Sequence, residues 1–340
     1  MINLKHKIQH ILAGAAVIAA SALGLASCSL INDDLDPCPE GVALRFVYDY
    51  NMLYANAFPA QVDCLTLLVY DQNGNFVTSK TETTSVLADE NWRMTLDLPA
   101  GKTYKFVAYG GMECPQSSFH FMTEPAAGTN FSQLAVAMNT NLVDAIPGVD
   151  LHNLYYGELT MEVPKGALDY TAGTVNMMRD TNSIRILLQN VDGSPVEPED
   201  FNFAIYANNT ELNGSNEIIP TTNGNVYYPW SVGQKDAGLS EADDIITLAY
   251  AEFSVNRLMA GSNTRLHISE VMADKTVLDI PIVNYLLLMK SDHFNSMPDQ
   301  EYLDRENHWD VILFLDNGRW VDAYIVVNNW YVRIDHATFD

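Results

Sequence analysis

The sequence predicts an all-β protein of two β-sandwich domains in tandem, with one minor helix. Three observations lead there. Short runs rich in Val, Ile, Leu, Tyr and Phe recur at roughly 10- to 20-residue intervals, separated by Gly, Pro, Asn and Asp. Few stretches carry the apolar spacing of a helix. The strand pattern breaks once, at 164–173, and restarts, and a chain of 340 residues holds about two domains of ordinary size. No fixed-period repeat suggests a solenoid.

The first element, residues 1–27, is a leader. Lys5 and Lys7 make a basic head, and an apolar run follows over 11–25. That run is shorter than the roughly 20 apolar residues a membrane span needs. Basic head, apolar middle and small-residue exit describe a secretory signal. The exit, Leu25-Ala26-Ser27-Cys28, resembles that of bacterial lipoproteins, in which the cysteine thiol becomes the thioether carrying diacylglycerol. Cleavage is expected before Cys28. Each buried CH₂ of an acyl chain contributes about 0.8 kcal/mol, and two or three chains give essentially permanent attachment. Residues 28–40 then form an acidic tether around Asn32, Asp33, Asp34 and Asp36.

The N-terminal sandwich is expected over 41–165. Its runs are 42–48, 62–70, 92–98, 104–109, 131–138 and 155–163, with turns at Asp71-Gln72-Asn73-Gly74 and Pro99-Ala100-Gly101. The C-terminal sandwich is expected over 170–340. Its runs are 174–178, 183–188, 201–206, 226–228, 245–255, 266–268 and 277–280. A short helix fits 282–290, and three closing strands fit 309–315, 320–327 and 330–334. Asp316-Asn317-Gly318 between the first two is a strong hairpin signal.

Composition excludes whole classes. The formal net charge is −25, and it falls further once Lys5 and Lys7 leave with the leader. No Lys/Arg cluster overrides that charge, so nucleic acid is not expected as a partner. With 17 Tyr and 13 Phe, the chain has the payload of a folded protein, not of an acidic disordered one. Beyond Cys28, three cysteines remain: Cys38, Cys64 and Cys114. An oxidising, exported setting suits one disulfide, with the pairing open among the three. Their spacing does not fit a zinc site. No Gly-x-Ser-x-Gly, Gly-x-Gly-x-x-Gly or phosphate-loop pattern occurs, and His120, His152, His267, His293, His308 and His336 are scattered. The expectation is therefore no enzyme, no metal and no cofactor. Tyr48, Tyr50 and Tyr54 read either as a sugar-stacking face or as packing residues of a β-protein.

Longer segments carry a resemblance. Residues 32–51 (with Pro37-Cys38-Pro39-Glu40-Gly41 at their centre), 58–74, Glu90-Asn91-Trp92-Arg93-Met94 and Leu98-Pro99-Ala100-Gly101 resemble the fimbrillin-associated anchor family of Bacteroidales. So do Tyr302-Leu303-Asp304-Arg305 and the closing stretch from Trp320 through Asn328-Asn329-Trp330-Tyr331-Val332-Arg333. The resemblance implies two transthyretin-like, Greek-key sandwiches and a lipid-bearing subunit of the outer membrane. That subunit would anchor the base of a type V fimbrium, terminate subunit addition, and take a pilin stalk subunit as partner. In such fimbriae, stalk subunits exchange strands after proteolysis, usually at an Arg, removes their own first strand.

The sequence bears on that picture directly. Between Cys28 and Leu44 there is no Lys or Arg, and the first basic residue, Arg45, lies inside the first expected strand. The tether then offers no basic cleavage site, and the first strand stays joined to the lipid. For the pilin contact the candidate is the last run, Trp330, Tyr331, Val332, Arg333 and Ile334, as donor strand or sheet edge; otherwise it is simply a final strand paired within its own domain. Rival functions are a surface glycan-binding lipoprotein of a nutrient-uptake system, and an accessory or tip subunit of the fimbrium.

Overall fold

The computed structural model describes residues 40–334, except 222–223, 240–244, 274, 289, 291–293, 317–318 and 328–329. Cys28, Cys38 and nearly all of the expected tether lie outside the described residues, as do His293, His336 and the turn residues Asn317 and Gly318. The fold is all-β, as expected, and its strands form sandwiches.

The first half contains β1 (Gly41–Val47), the short helix α1 (Phe58–Gln61), β2 (Leu65–Asp71), β3 (Phe76–Glu82), β4 (Met94–Asp97) and β5 (Lys102–Gly110). It continues with β6 (Phe119–Phe121), β7 (Ala135–Met138), β8 (Tyr155–Val163) and β9 (Thr171–Arg179). Seven of these strands make one sheet in the order β3-β2-β5-β8-β9-β1-β4. The sheet curls on itself. Leu65, Leu67 and Val69 of β2 share a core with Val42, Leu44 and Phe46 of β1, although three strands separate them in the sheet. The alternate residues of β2, Leu68 and Tyr70, are also buried, on the opposite face. A strand covered on both faces reads as a continuous apolar run, which is what Leu65-Thr66-Leu67-Leu68-Val69-Tyr70 is.

The second half holds β10 (Asn182–Asn190), β11 (Phe201–Ala207), β12 (Glu211–Asn213), β13 (Asn225–Tyr227), β14 (Ser231–Leu239) and β15 (Ile245–Val255). After β16 (Arg265–Glu270) and β17 (Lys275–Pro281) come the helices α2 (Ile282–Leu288) and α3 (Asp299–Arg305). The chain closes with β18 (His308–Asp316), β19 (Arg319–Val327) and β20 (Trp330–Ile334). A six-stranded sheet, β14-β15-β10-β18-β19-β20, faces a four-stranded one, β13-β11-β16-β17. Ile184, Ile186, Phe253, Trp309 and Val311 of the larger sheet pack with Phe203, Ile205, Leu266 and Ile268 of the smaller. The indole of Trp309 is fully buried, so its N–H needs a partner; it donates to Asn182 Oδ1 at 3.1 Å. Helix α2 buries Ile282, Val283, Tyr285 and Leu286, the spacing of one helical face.

Two expectations about the division of the chain need correction. The segment 164–170 is a hairpin turn, not a junction between domains. It joins β8 to β9, which pair at their far ends (Tyr155↔Arg179 to Glu158↔Asn176), while the rest of β9 runs parallel to β1. Val175 and Met177 are buried in the first core, so β9 belongs to the first sandwich and the sheets divide after Arg179. Secondly, β12 crosses over. It pairs with β7 in a three-stranded sheet, β12-β7-β6, that covers the outer face of the first sheet. The two halves are thus joined by main-chain hydrogen bonds and a continuous core.

Candidate subunit interface

Strand exchange needs either an empty slot in a sheet or a free edge. The slot concerns β1. It pairs antiparallel with β4 from Gly41↔Asp97 to Leu44↔Met94, and parallel with β9 from Val42↔Thr171 to Val47↔Asn176. Val42 and Leu44 are 0% exposed and Phe46 3%, so every inward side chain of the strand fills the core. Phe46 also stacks on Phe58 of α1 and on Trp92, with ring centroids 5.8 and 6.0 Å apart. The strand starts at Gly41 because nothing larger fits. Its φ is +143°, and a Cβ there would lie 1.9 Å from the Leu96 carbonyl oxygen. Arg45 sits opposite Thr174 in the ladder. A protease needs several residues of extended, unpaired backbone, which Arg45 in this position does not present.

The free edge concerns β20. Trp330, Tyr331, Val332, Arg333 and Ile334 pair antiparallel with β19, from Val327↔Trp330 to Ala323↔Ile334, with no shift of register. On its other side β20 is the border of the six-stranded sheet among the described residues. Three other borders among the described residues are blunted. β3 is mostly exposed and polar, with Lys80 on it; β14 has a register shift between Asp236 and Leu239; β4 is four residues long. Charge, bulges and shortness are how sheets discourage a further strand. β20 has a regular ladder and no charged side chain except Arg333.

The cysteines resolve into one disulfide, Cys64–Cys114, with Cα atoms 6.2 Å apart. It ties the approach to β2 to the loop after β5. Asp63 lies beside both sulfurs, yet bonded sulfurs carry no thiolate for a metal. The Asp63 carboxylate instead accepts from Gln116 Nε2 at 2.9 Å and meets His152 Nε2 at 3.1 Å. The bridge closes a loop of 50 residues, so replacing both cysteines by serine is expected to cost about 2–4 kcal/mol. Urea unfolding of the oxidised chain and the double variant measures this; equal midpoints would contradict it.

Tyr48, Tyr50 and Tyr54 do not form an open platform. Tyr48 is buried, meets Tyr155 edge-on at 5.3 Å, and its hydroxyl accepts from Asn307 Nδ2 at 2.9 Å. Burial is the main reason its pKa is raised. The guanidinium of Arg305, on α3, lies 4.0 Å from the Tyr50 ring centre and 4.8 Å from that of Tyr54. The three rings therefore clamp the first half to the second.

Sequence reasoning missed the polar centre of this junction. Asp180 is 0% exposed. It accepts from Asn216 Nδ2 at 2.8 Å and lies 4.0 Å from Arg257 Nε. Arg257 grips Asp304 with two bonds, Nε to Oδ1 at 2.9 Å and Nη2 to Oδ2 at 2.7 Å, and its third nitrogen donates to the Asn216 carbonyl. Burial pushes the Asp180 carboxyl up to about 7, against the pull of Arg257. Nothing local marks these residues, because each partner arrives from a different part of the chain.

The comparisons with known proteins agree with this architecture. The model of the family described as fimbrillin-A associated anchor proteins Mfa1 and Mfa2 matches residues 35–336. A crystal structure from Bacteroides thetaiotaomicron described as an adhesin superposes with a TM-score of 0.83 at 44% identity, covering 88% of this chain and 100% of that one. A second structure from that organism, described as polysaccharide-binding, has a TM-score of 0.73 at 30% identity over 86% of this chain and 98% of its own. The fimbrial anchor protein Mfa2 of Porphyromonas gingivalis shares the fold, with a TM-score of 0.65 at 16% identity over 87% and 99% of the two chains. No curated protein sequence matches.

Proposed function

The chain belongs to the family of fimbrillin-A associated anchor proteins, and we propose that it holds the base of a type V fimbrium on the outer membrane and ends subunit addition there. The observation that carries this reading is the occupied slot, with β1 paired on both sides and buried along its inward face. A subunit whose first strand stays in place has no groove for a donor strand, so the series of exchanges stops at it. The absence of Lys and Arg between Cys28 and Leu44 keeps that strand joined to Cys28. Acyl chains on Cys28 then fix the chain to the membrane, because two or more chains give lasting attachment where one does not. The pilin stalk subunit docks on the β20 edge, by edge pairing or strand exchange.

A site for a sequence-specific protease, inserted between Asp36 and Pro37, tests this on intact cells. Before cleavage, immunogold label for the chain is expected at fimbrial bases. Cleavage is expected to shed the chain with its fimbriae. Label along shafts or at tips overturns the proposal, as do fimbriae that stay on the cell after the chain has left. In a second arm, a chain truncated before Asn329 is expected to remain on the cell while fimbriae are released. Undiminished retention would remove β20 as the contact.

A further inference from the structure

We propose that a cleft at the junction of the two halves binds a neutral sugar residue, with Trp230 as its stacking wall. The cleft arises from one close approach of backbones. The first-half loop between β7 and β8 runs against the segment leading into β14, where Gly148 N–H donates to the Pro229 carbonyl at 3.0 Å. A Cβ on Gly148 would lie 1.7 Å from the Tyr228 carbonyl oxygen, so only glycine permits the contact. That approach brings Asp150 into one cleft with Trp230 and with Arg185, Glu252 and Asp310 of the six-stranded sheet.

The sheet supplies the floor. Arg185 of β10 stands opposite Glu252 of β15 on one side and Asp310 of β18 on the other; Ser183 stands opposite His308. Trp230 is held over the same floor by its backbone N–H, which donates to the Glu252 carbonyl at 2.9 Å. Trp230 remains 39% exposed, an unusual state for so large an apolar surface. These groups enclose about 260 Å³. That is just below the ~300–1,000 Å³ of sites for drug-sized ligands, which fits a single ring or the end of a chain.

The chemistry of the lining selects the ligand. Three carboxylates, Asp150, Glu252 and Asp310, outnumber the basic side chains Arg185 and His308 in the lining, so an anionic sugar or phosphate is disfavoured. Glu252 is already neutralised, with Arg185 Nε at 2.7 Å and Nη2 at 2.5 Å from its Oε1. Arg185 Nη1 is 3.8 Å from Asp310 Oδ1, too long for a hydrogen bond, which leaves a donor and an acceptor facing the same space. A ligand that both donates and accepts from adjacent positions satisfies them, as vicinal hydroxyls do. The apolar face of a pyranose suits the indole. A lysine side chain would use the acceptors alone and meet the Arg185 cation.

The test uses the full chain on an array of neutral, sialylated and sulfated oligosaccharides, with calorimetry on any hit. Saturable binding to neutral glycans only is expected. Trp230→Ala and Asp310→Asn are each expected to weaken it at least tenfold while the melting temperature stays unchanged. Should Trp230→Ala lower the melting temperature, Asp310→Asn, on an exposed face, decides the matter. Absence of neutral glycan binding, or binding that both variants retain, overturns the proposal. Binding of a Lys-rich peptide in place of glycans also overturns it. Fimbrial anchoring does not enter any of these outcomes.

Discussion

Deleting residues 41–47 is expected to unfold the first sandwich, and adding the deleted heptapeptide Gly41-Val42-Ala43-Leu44-Arg45-Phe46-Val47 is expected to restore it. The deletion removes three fully buried side chains, Val42, Leu44 and Phe46. Truncating such residues costs about 2–5 kcal/mol each, and a domain holds only about 5–15 kcal/mol in total. It also leaves β9 and β4 with unpaired edges on the β1 side, which is costly in buried surroundings. The peptide can return because its partners define its register completely. Urea unfolding and binding of an apolar dye report the loss. A peptide carrying Leu44→Asp is the control and should not rescue. A deleted chain that melts like the intact one would show that the slot is dispensable, and would take away the physical basis for termination.

Arg257→Met is the second large effect, expected to lower stability by about 3–5 kcal/mol. The guanidinium is only 13% exposed and faces two carboxylates, Asp304 at 7% and Asp180 at 0%. Removing the cation strands Asp304 as an uncompensated buried charge, which costs far more than the pair is worth as a pair. The wild-type chain carries a related pH signature. Asp180 has a raised pKa of about 7 in the folded state, whereas an unfolded Asp titrates near 4. Between those values the folded chain keeps a proton that the unfolded chain has released. The contribution of Asp180 to stability is therefore greatest below about pH 4, declines as pH rises to about 7 and is flat beyond, while the lowered carboxylates Asp63 and Glu158 act in the opposite direction at acid pH. Asp180→Asn, which cannot ionise, is expected to abolish that slope. Urea midpoints measured from pH 4 to pH 8 decide it, and an identical slope in the variant would contradict it.

Much of the order of elements was legible along the chain. The runs at 155–163, 245–255 and 330–334 coincide with β8, β15 and β20, and the short helix fell where α2 stands. Alternation of apolar and polar side chains is a local property, so it survives reading one residue at a time. β3 and β14 were missed for the same reason. Their sequences, Phe76-Val-Thr-Ser-Lys-Thr-Glu82 and Ser231-Val-Gly-Gln-Lys-Asp-Ala-Gly-Leu239, are largely polar or small, without a run of apolar side chains to announce a strand, and they are held by their neighbours in the ladder.

The sequence by itself determined the fold class, the family resemblance, the basic-free stretch ahead of β1 and the candidate final strand, because each is written in contiguous residues. Tertiary structure decided what depends on distant partners. It put β9 beside β1 and β12 beside β7, against the expected boundary at 165–170. It joined Cys64 to Cys114 where three pairings stood open. It turned Tyr50 and Tyr54 from a conceivable sugar face into a clamp on Arg305, and placed Trp230 in the cleft instead. Parallel pairing, disulfide choice and buried ion networks all join residues far apart in the chain. Their energies arise only once loops have closed and water has been excluded, and no local pattern encodes them.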